Sequence, residues 1–227
     1  PAPERLFAPH LDDLRDLRWR GLVVRQGEHN LRVDHPLRRA WLLFELGEGR
    51  TAVLRQLLDL VDSQDLGGTV DPVALVDWEL QAGSPPEPEQ LELATRRAIA
   101  RLDGPTSLRF AAAMMGPARE LLRGQALVIS GRLSEGLEVL ANVAHSELME
   151  ARAEAAFWQA RYLGIMLGDY PRAEAALDAV DSPSLSPSAR RLVFAGRLWL
   201  WIFGPISNPA ALGDATALLD AAPFDEA

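Results

Sequence analysis

The 227-residue chain contains no cysteine. Disulfides and thiolate-bound zinc are therefore excluded, and the composition fits a reducing compartment. Lysine is absent too: all 23 basic residues are arginine. That bias reads as the coding preference of a GC-rich genome rather than as chemistry. Long apolar runs are missing. The most apolar stretch, Leu192 to Ile206, is broken by Arg197, so it falls short of the roughly 18 to 20 apolar residues of a membrane span. Pro1 to Asp16 is charged and has no apolar centre of the kind a signal peptide needs. The chain starts without methionine and stops just after a helical pattern, so a fragment of a longer cytoplasmic protein is expected.

Catalytic and metal-binding patterns are equally scarce. The four histidines, His10, His29, His35 and His145, show no metal-ligand spacing. There is no Gly-x-Ser-x-Gly elbow and no glycine-rich phosphate loop. Without Cys or Lys, nucleophilic and acid–base catalysis have few candidates. Asp12-Asp13-Leu14-Arg15-Asp16 spells a carboxylate pattern that can hold Mg²⁺ against a diphosphate. It lacks a second acidic motif, and a solvated helix face accounts for it. The expectation is no catalytic residue, no metal and no enzyme in this chain by itself.

The formal charge is -9, which disfavours phosphate backbones. The charge is uneven. Arg5, Arg15, Arg18, Arg20, Arg25, Arg32, Arg38 and Arg39 crowd the N-terminal end, while Asp214 to Ala227 holds no arginine.

Two regions follow, 1–46 and 47–227. In the first, Leu11, Leu14, Leu17 and Trp19 suggest a helix ending near Gly21. Leu22 to Arg25 and Leu31 to Val33 flank a glycine-containing turn, which is a hairpin signal. Pro36 suits the first turn of a helix reaching Leu46. Helix, hairpin and helix make a partial winged helix.

From Gly47 onward the pattern is helical. Turn signals fall at Gly67-Gly68, Gly83 to Pro86, Gly104-Pro105, Gly131, Gly168, Ser182-Pro183 and Gly204-Pro205. An interval of 37 residues relates Gly131, Leu133, Gly136 and Leu140 to Gly168, Tyr170, Ala173 and Leu177. Glycine closes one helix, Leu or Tyr packs the corner, and a small residue lets the next helix approach. The core of Gly168, Tyr170 and Ala173 resembles the tetratricopeptide repeat family over roughly residues 105–221, with a longer period than that family's. The expected class is mainly α: a TPR-like α-α superhelix, a right-handed solenoid of helical hairpins, preceded by a partial winged helix with a short β-hairpin.

Leu17 to Val23, the hairpin, and Val33 to Arg39 resemble the winged-helix segment of signal-transduction ATPases with numerous domains, the group that includes maltose-operon-activator-like bacterial transcriptional regulators. In that family a histidine at this place reaches the β-phosphate of bound ADP. The resemblance gives that nucleotide-sensing role to His35, although the familiar Met-His-Asp reads Asp34-His35-Pro36 here. His35 capping or packing the next helix is the alternative. The resemblance also implies an upstream nucleotide-binding domain with ADP or ATP in the parent protein, and no cofactor within residues 1–227.

Within the repeats, Trp158, Tyr162 and Ile165 share one helical face, and Trp199 stands 37 residues after Tyr162. These four are candidates for a ligand-binding groove, since aromatic anchors dominate interfaces; packing within the core is the competing role. The expected function is a sensor and oligomerisation arm, binding a protein or small-molecule effector, with possible self-association, no membrane partner and no direct nucleic-acid contact. A TPR-like adaptor without a nucleotide switch and a DNA-contacting winged helix are the alternatives.

Overall fold

Short polar side chains open four of the described helices and glycine closes several of them. In the computed structural model, Asp71, Asp103, Asp169 and Ser186 accept from the backbone N–H groups of Val73, Thr106, Arg172 and Ala189 at 3.2 to 3.3 Å. A proline stands in the first turn of each of those four helices, where its missing N–H costs nothing. Gly83 and Gly168 close helices in the left-handed region, with φ of 75° and 66°. The structure describes residues 2–3, 11–20, 22–26, 30–33, 47, 49–63, 65 and 67–204.

The described chain is mainly helical and falls into two units, Pro1–Arg97 and Ala98–Ala227. In the first, β1 (Ala2–Pro3), β2 (Val23–Gln26) and β3 (Asn30–Val33) form an antiparallel sheet in the order β1-β3-β2. Val23 stands opposite Val33, and Gln26 opposite Asn30. Helix α1 (Leu11–Trp19) precedes β2 and buries Leu14 while leaving Trp19 exposed. Asp12 pairs with Arg15 at 3.3 Å and Asp16 with Arg20 at 2.8 Å, all on solvated side chains. The acidic pattern in this segment is thus partly neutralised by its own arginines. The helix expected over 36–46, and His35, lie outside the described residues.

Helix α2 (Gly49–Ser63) packs on α3 (Pro72–Ala82). Val61 and Val70 form their core with Leu57, Leu60, Leu75 and Trp78 around them. Arg50 pairs with Gln81, and Arg55 donates to the Ala82 carbonyl at 3.2 Å, which ties α2 to the C-terminal end of α3. Glu79 is half-buried on α3, and its Oε2 is enclosed without a hydrogen-bond partner among the described residues. Burial, then the charges of Asp62 and Glu87, push its carboxyl above the ordinary range. Helix α4 (Pro88–Ala100) follows the Pro-rich loop.

The second unit comprises α5 (Gly104–Ala113), α6 (Ala118–Ile129), α7 (Leu133–Ala144), α8 (Met149–Leu167), α9 (Tyr170–Asp178) and α10 (Pro187–Phe203). From α5 to α10 each helix packs on the next, and α8 packs on both α6 and α10 as well. Gly104-Pro105 is the start of a helix rather than a turn, because Asp103 caps it. A further break, absent from the expected turns although Gly116-Pro117 spells one, falls at Met114 to Pro117, where Gly116 takes φ of 91°. No described helix is long and apolar enough to cross a membrane. Arg197, which interrupts the apolar run, binds Asp178 and Asp181 at 2.7 Å each, and so fastens α10 to the end of α9.

The 37-residue interval is structural. Helices α7 and α9 begin at Leu133 and Tyr170, Gly131 and Gly168 are both left-handed, and Leu140 and Leu177 are both fully buried. Gly136 is the tightest contact between α6 and α7: a Cβ there would lie 2.7 Å from the Gly124 carbonyl oxygen and 2.6 Å from Val128 Cγ2.

Two outcomes follow from these contacts. Helix propensity favours Ala over Gly by about 1 kcal/mol, but overpacking against backbone costs about 1 to 3 kcal/mol. Gly136→Ala should therefore destabilise the second unit in urea unfolding; a gain in stability would show that α7 can move away from α6. For Glu79, a folded pKa above the unfolded one means the native state holds its proton more tightly. The ionised form then costs stability at neutral pH, and the cost fades as pH falls through the raised value. Glu79→Gln should raise the thermal midpoint at pH 7 and confer a smaller gain as pH falls into the carboxylate range.

Candidate functional site

Helix α8 carries Trp158, Arg161, Tyr162 and Ile165 at spacings of three and four, which places them on one face. The Trp158 and Tyr162 rings stack with centroids 5.8 Å apart, and Phe157 meets Trp158 edge-on at 5.1 Å. On α10, Trp199 stacks on Phe203 at 4.4 Å. The group that joins the two helices is a cation. Arg161 Cζ lies 5.1 Å from the Trp158 ring and 4.7 Å from the Trp199 ring, so the guanidinium sits between two indoles. Among the described residues no carboxylate pairs with Arg161, so its N–H edges have no fixed anion.

Small residues allow this approach. A Cβ on Gly164 of α8 would meet Leu200 of α10 at 2.5 Å, and a Cβ on Gly196 of α10 would meet Leu177 of α9 at 2.8 Å. Tyr170 packs beside Gly164 and donates from its hydroxyl to the Phe203 carbonyl at 2.9 Å, holding the end of α10. Helices α8, α9 and α10 are therefore seated before any ligand arrives.

Tyr162 is buried, and burial pushes its phenol up to about 12 against the opposing charge of Arg161. It stays neutral at physiological pH. Ile165 is 46% exposed, one turn beyond Tyr162, and takes no part in the ring stack. Next to it in sequence Met166 and Leu167 are also exposed, as are Ile202 and Phe203 at the end of α10. The surface thus has a half-buried aromatic–cation centre and an exposed apolar end on each helix.

Of the residues the sequence nominated, Trp158, Tyr162 and Trp199 come together through Arg161, and Ile165 marks the exposed end of the same face. Arg161 and Phe203 were not nominated. Neither carries a motif, and the helical spacing of Arg161 from Trp158 is the one signal that could have found it. Gln125 was missed as well. It stands 37 residues before Tyr162, is 2% exposed, and its Nε2 has no partner among the described residues. An unmade buried hydrogen bond of that kind costs about 1 to 3 kcal/mol. Trp201 points elsewhere, meeting Phe194 edge-on at 6.3 Å, which accounts for aromatic residues on two sides of α10.

Arg161→Met keeps the aliphatic stem and removes the cation. With two cation–π contacts of about 0.5 to 1 kcal/mol each, it should lower the stability of the second unit by about 1 to 2 kcal/mol and alter the tryptophan fluorescence. An unchanged spectrum would mean that the guanidinium does not rest on the indoles in solution. Comparison with protein-family models, with curated proteins and with solved structures finds no match to this chain.

Proposed function

We propose that this chain is a non-catalytic binding arm whose α8–α10 face takes a protein segment carrying an acidic residue beside apolar ones. The observation that carries the reading is the indole–guanidinium–indole stack of Trp158, Arg161 and Trp199. A guanidinium fixed on aromatic faces keeps its planar edge for a carboxylate and loses little side-chain freedom on binding. Ile165, Ile202 and Phe203 supply apolar surface beside it, and tryptophan and arginine are the residues that most often dominate interfaces.

In this reading the second unit is a TPR-like solenoid. Successive helical pairing, the 37-residue interval and the packing of α8 on both α6 and α10 support it. The wider setting is the sensor arm of an ATPase-type bacterial transcriptional regulator. There α1 and the β2–β3 hairpin belong to the end of a winged helix, and His35 senses ADP bound to an upstream domain. Effector binding would shift the closed-to-open equilibrium only by its differential affinity for the two states. An adaptor with the same groove and no nucleotide switch is the second reading. Direct DNA contact is disfavoured because Arg15 and Arg20 are paired with acids of their own helix.

Selection of displayed peptides on the 227-residue chain tests the groove. Acidic–apolar sequences should be enriched, and Trp199→Ala and Arg161→Ala should each weaken them by about tenfold or more. Selected peptides that bind those variants as tightly as the parent would sink the assignment. In the parent protein, His35→Ala should lower ADP retention under the switch reading and leave it unchanged under the adaptor reading.

A further inference from the structure

A concave site lies on other helices of the same unit. Helices α5 and α6 and the residue before α7 enclose a pocket of about 420 Å³, lined by Leu108, Ala112, Arg119, Arg123, Leu127 and Arg132. Its size falls in the range of small-molecule sites. Arg119, Arg123 and Leu127 recur at a spacing of four, so they form one stripe on α6. Leu127 is almost fully buried and, with Leu108 and Ala112, gives the pocket its apolar part.

Three guanidiniums around one concavity are unexpected in a chain of formal charge -9. Two of them have partners. Arg123 binds Glu120 at 2.9 Å, and Arg132 forms a two-pronged pair with Glu135 at 2.9 and 2.5 Å. Neither pair uses all five donors of its guanidinium. Arg119 differs. The nearest carboxylate oxygen, on Glu120, is 3.8 Å from its Nε, too far for a hydrogen bond. That Nε is enclosed with no acceptor among the described residues, although the side chain as a whole is 43% exposed. Three cations against two carboxylates leave the lining positive, with one shielded donor unsatisfied. An oxyanion entering the pocket would supply the missing charge and accept from the guanidinium N–H groups that these pairs leave exposed.

We infer that the pocket of Arg119, Arg123 and Arg132 binds a small organic oxyanion, a phosphate monoester or a carboxylate whose apolar body rests on Leu108, Ala112 and Leu127. This site is independent of the α8–α10 face and of the function proposed for it.

Calorimetric titration of the 227-residue chain at low salt tests it, with phenyl phosphate, benzoate, inorganic phosphate and phenol as probes. One saturable site is expected for phenyl phosphate or benzoate, and the tighter of the two identifies the anion. Inorganic phosphate lacks the apolar body and phenol lacks the charge, so both should bind at least about tenfold more weakly. Arg119→Gln and Arg123→Gln should each weaken the preferred probe by about tenfold, while Arg191→Gln, exposed on α10 and outside both sites, leaves it unchanged and Arg161→Gln reports any binding at the α8–α10 face. Both pocket variants alter partly exposed side chains, and their circular dichroism and thermal midpoints confirm folding; either one alone suffices. No saturable binding of phenyl phosphate or benzoate below ~10 mM overturns the assignment. So does binding that survives both substitutions, or that depends equally on Arg161.

Discussion

The close approach of helices over small residues is the constraint on which the second unit depends. Gly124 and Gly136 seat α7 on α6, Gly164 admits Leu200 of α10, and Gly196 admits Leu177 of α9. A Cβ at any of these four positions would come within 3.0 Å of a neighbouring heavy atom. The seams fix where α10 stands relative to α8. Only at that spacing can one guanidinium lie within about 5 Å of an indole from each helix. The aromatic–cation centre is thus a consequence of glycine in the seams as much as of tryptophan on the faces.

Arginine, the sole strong cation of this chain, does several kinds of work. Arg55, Arg152 and Arg190 donate to the carbonyls of Ala82, Ala144 and Leu185 and thereby satisfy groups at helix ends or in connecting turns. Arg197 clamps two aspartates. These guanidiniums have their partners inside the fold. Arg161 and Arg119 are placed differently: one rests on aromatic faces and the other keeps a shielded Nε without an acceptor. The aromatic faces hold the Arg161 cation, while Arg119 stays 43% exposed with Glu120 at 3.8 Å, and its shielded Nε lacks an acceptor among the described residues.

What the sequence revealed was whatever repeats or terminates. Gly131 and Gly168 announce their left-handed turns because few other residues tolerate them, and the 37-residue interval then pairs Leu140 with Leu177 and Tyr162 with Trp199. The hairpin strands at 23–26 and 30–33 follow from β-prone residues around a glycine. The break at Met114 to Pro117 carries its own signal in Gly116-Pro117, which the apolar run on either side obscures. Both arginine sites escaped for another reason. An arginine beside an aromatic residue on a helix reads as solvated charge, and three arginines at 119, 123 and 132 come together only when α5, α6 and the start of α7 pack. Periodicity encodes which face a residue occupies. It does not encode what the facing helix brings.

The two arginine sites should also respond differently to salt. Arg161 is half-buried between rings whose attraction for a cation acts at contact distance and is weakly screened. The pocket at Arg119 is open enough for its arginines to remain partly exposed, so its attraction for an anion must compete with chloride and with the chain's own acidic surface. At physiological ionic strength the Debye length is about 8 Å, shorter than the reach of most of that acidic field. Distant acids then repel an approaching anion little, and the three local guanidiniums dominate. A positive pocket in a chain of formal charge -9 is thus consistent with selective anion binding, because screening mutes the overall charge at a distance while the lining governs what stays.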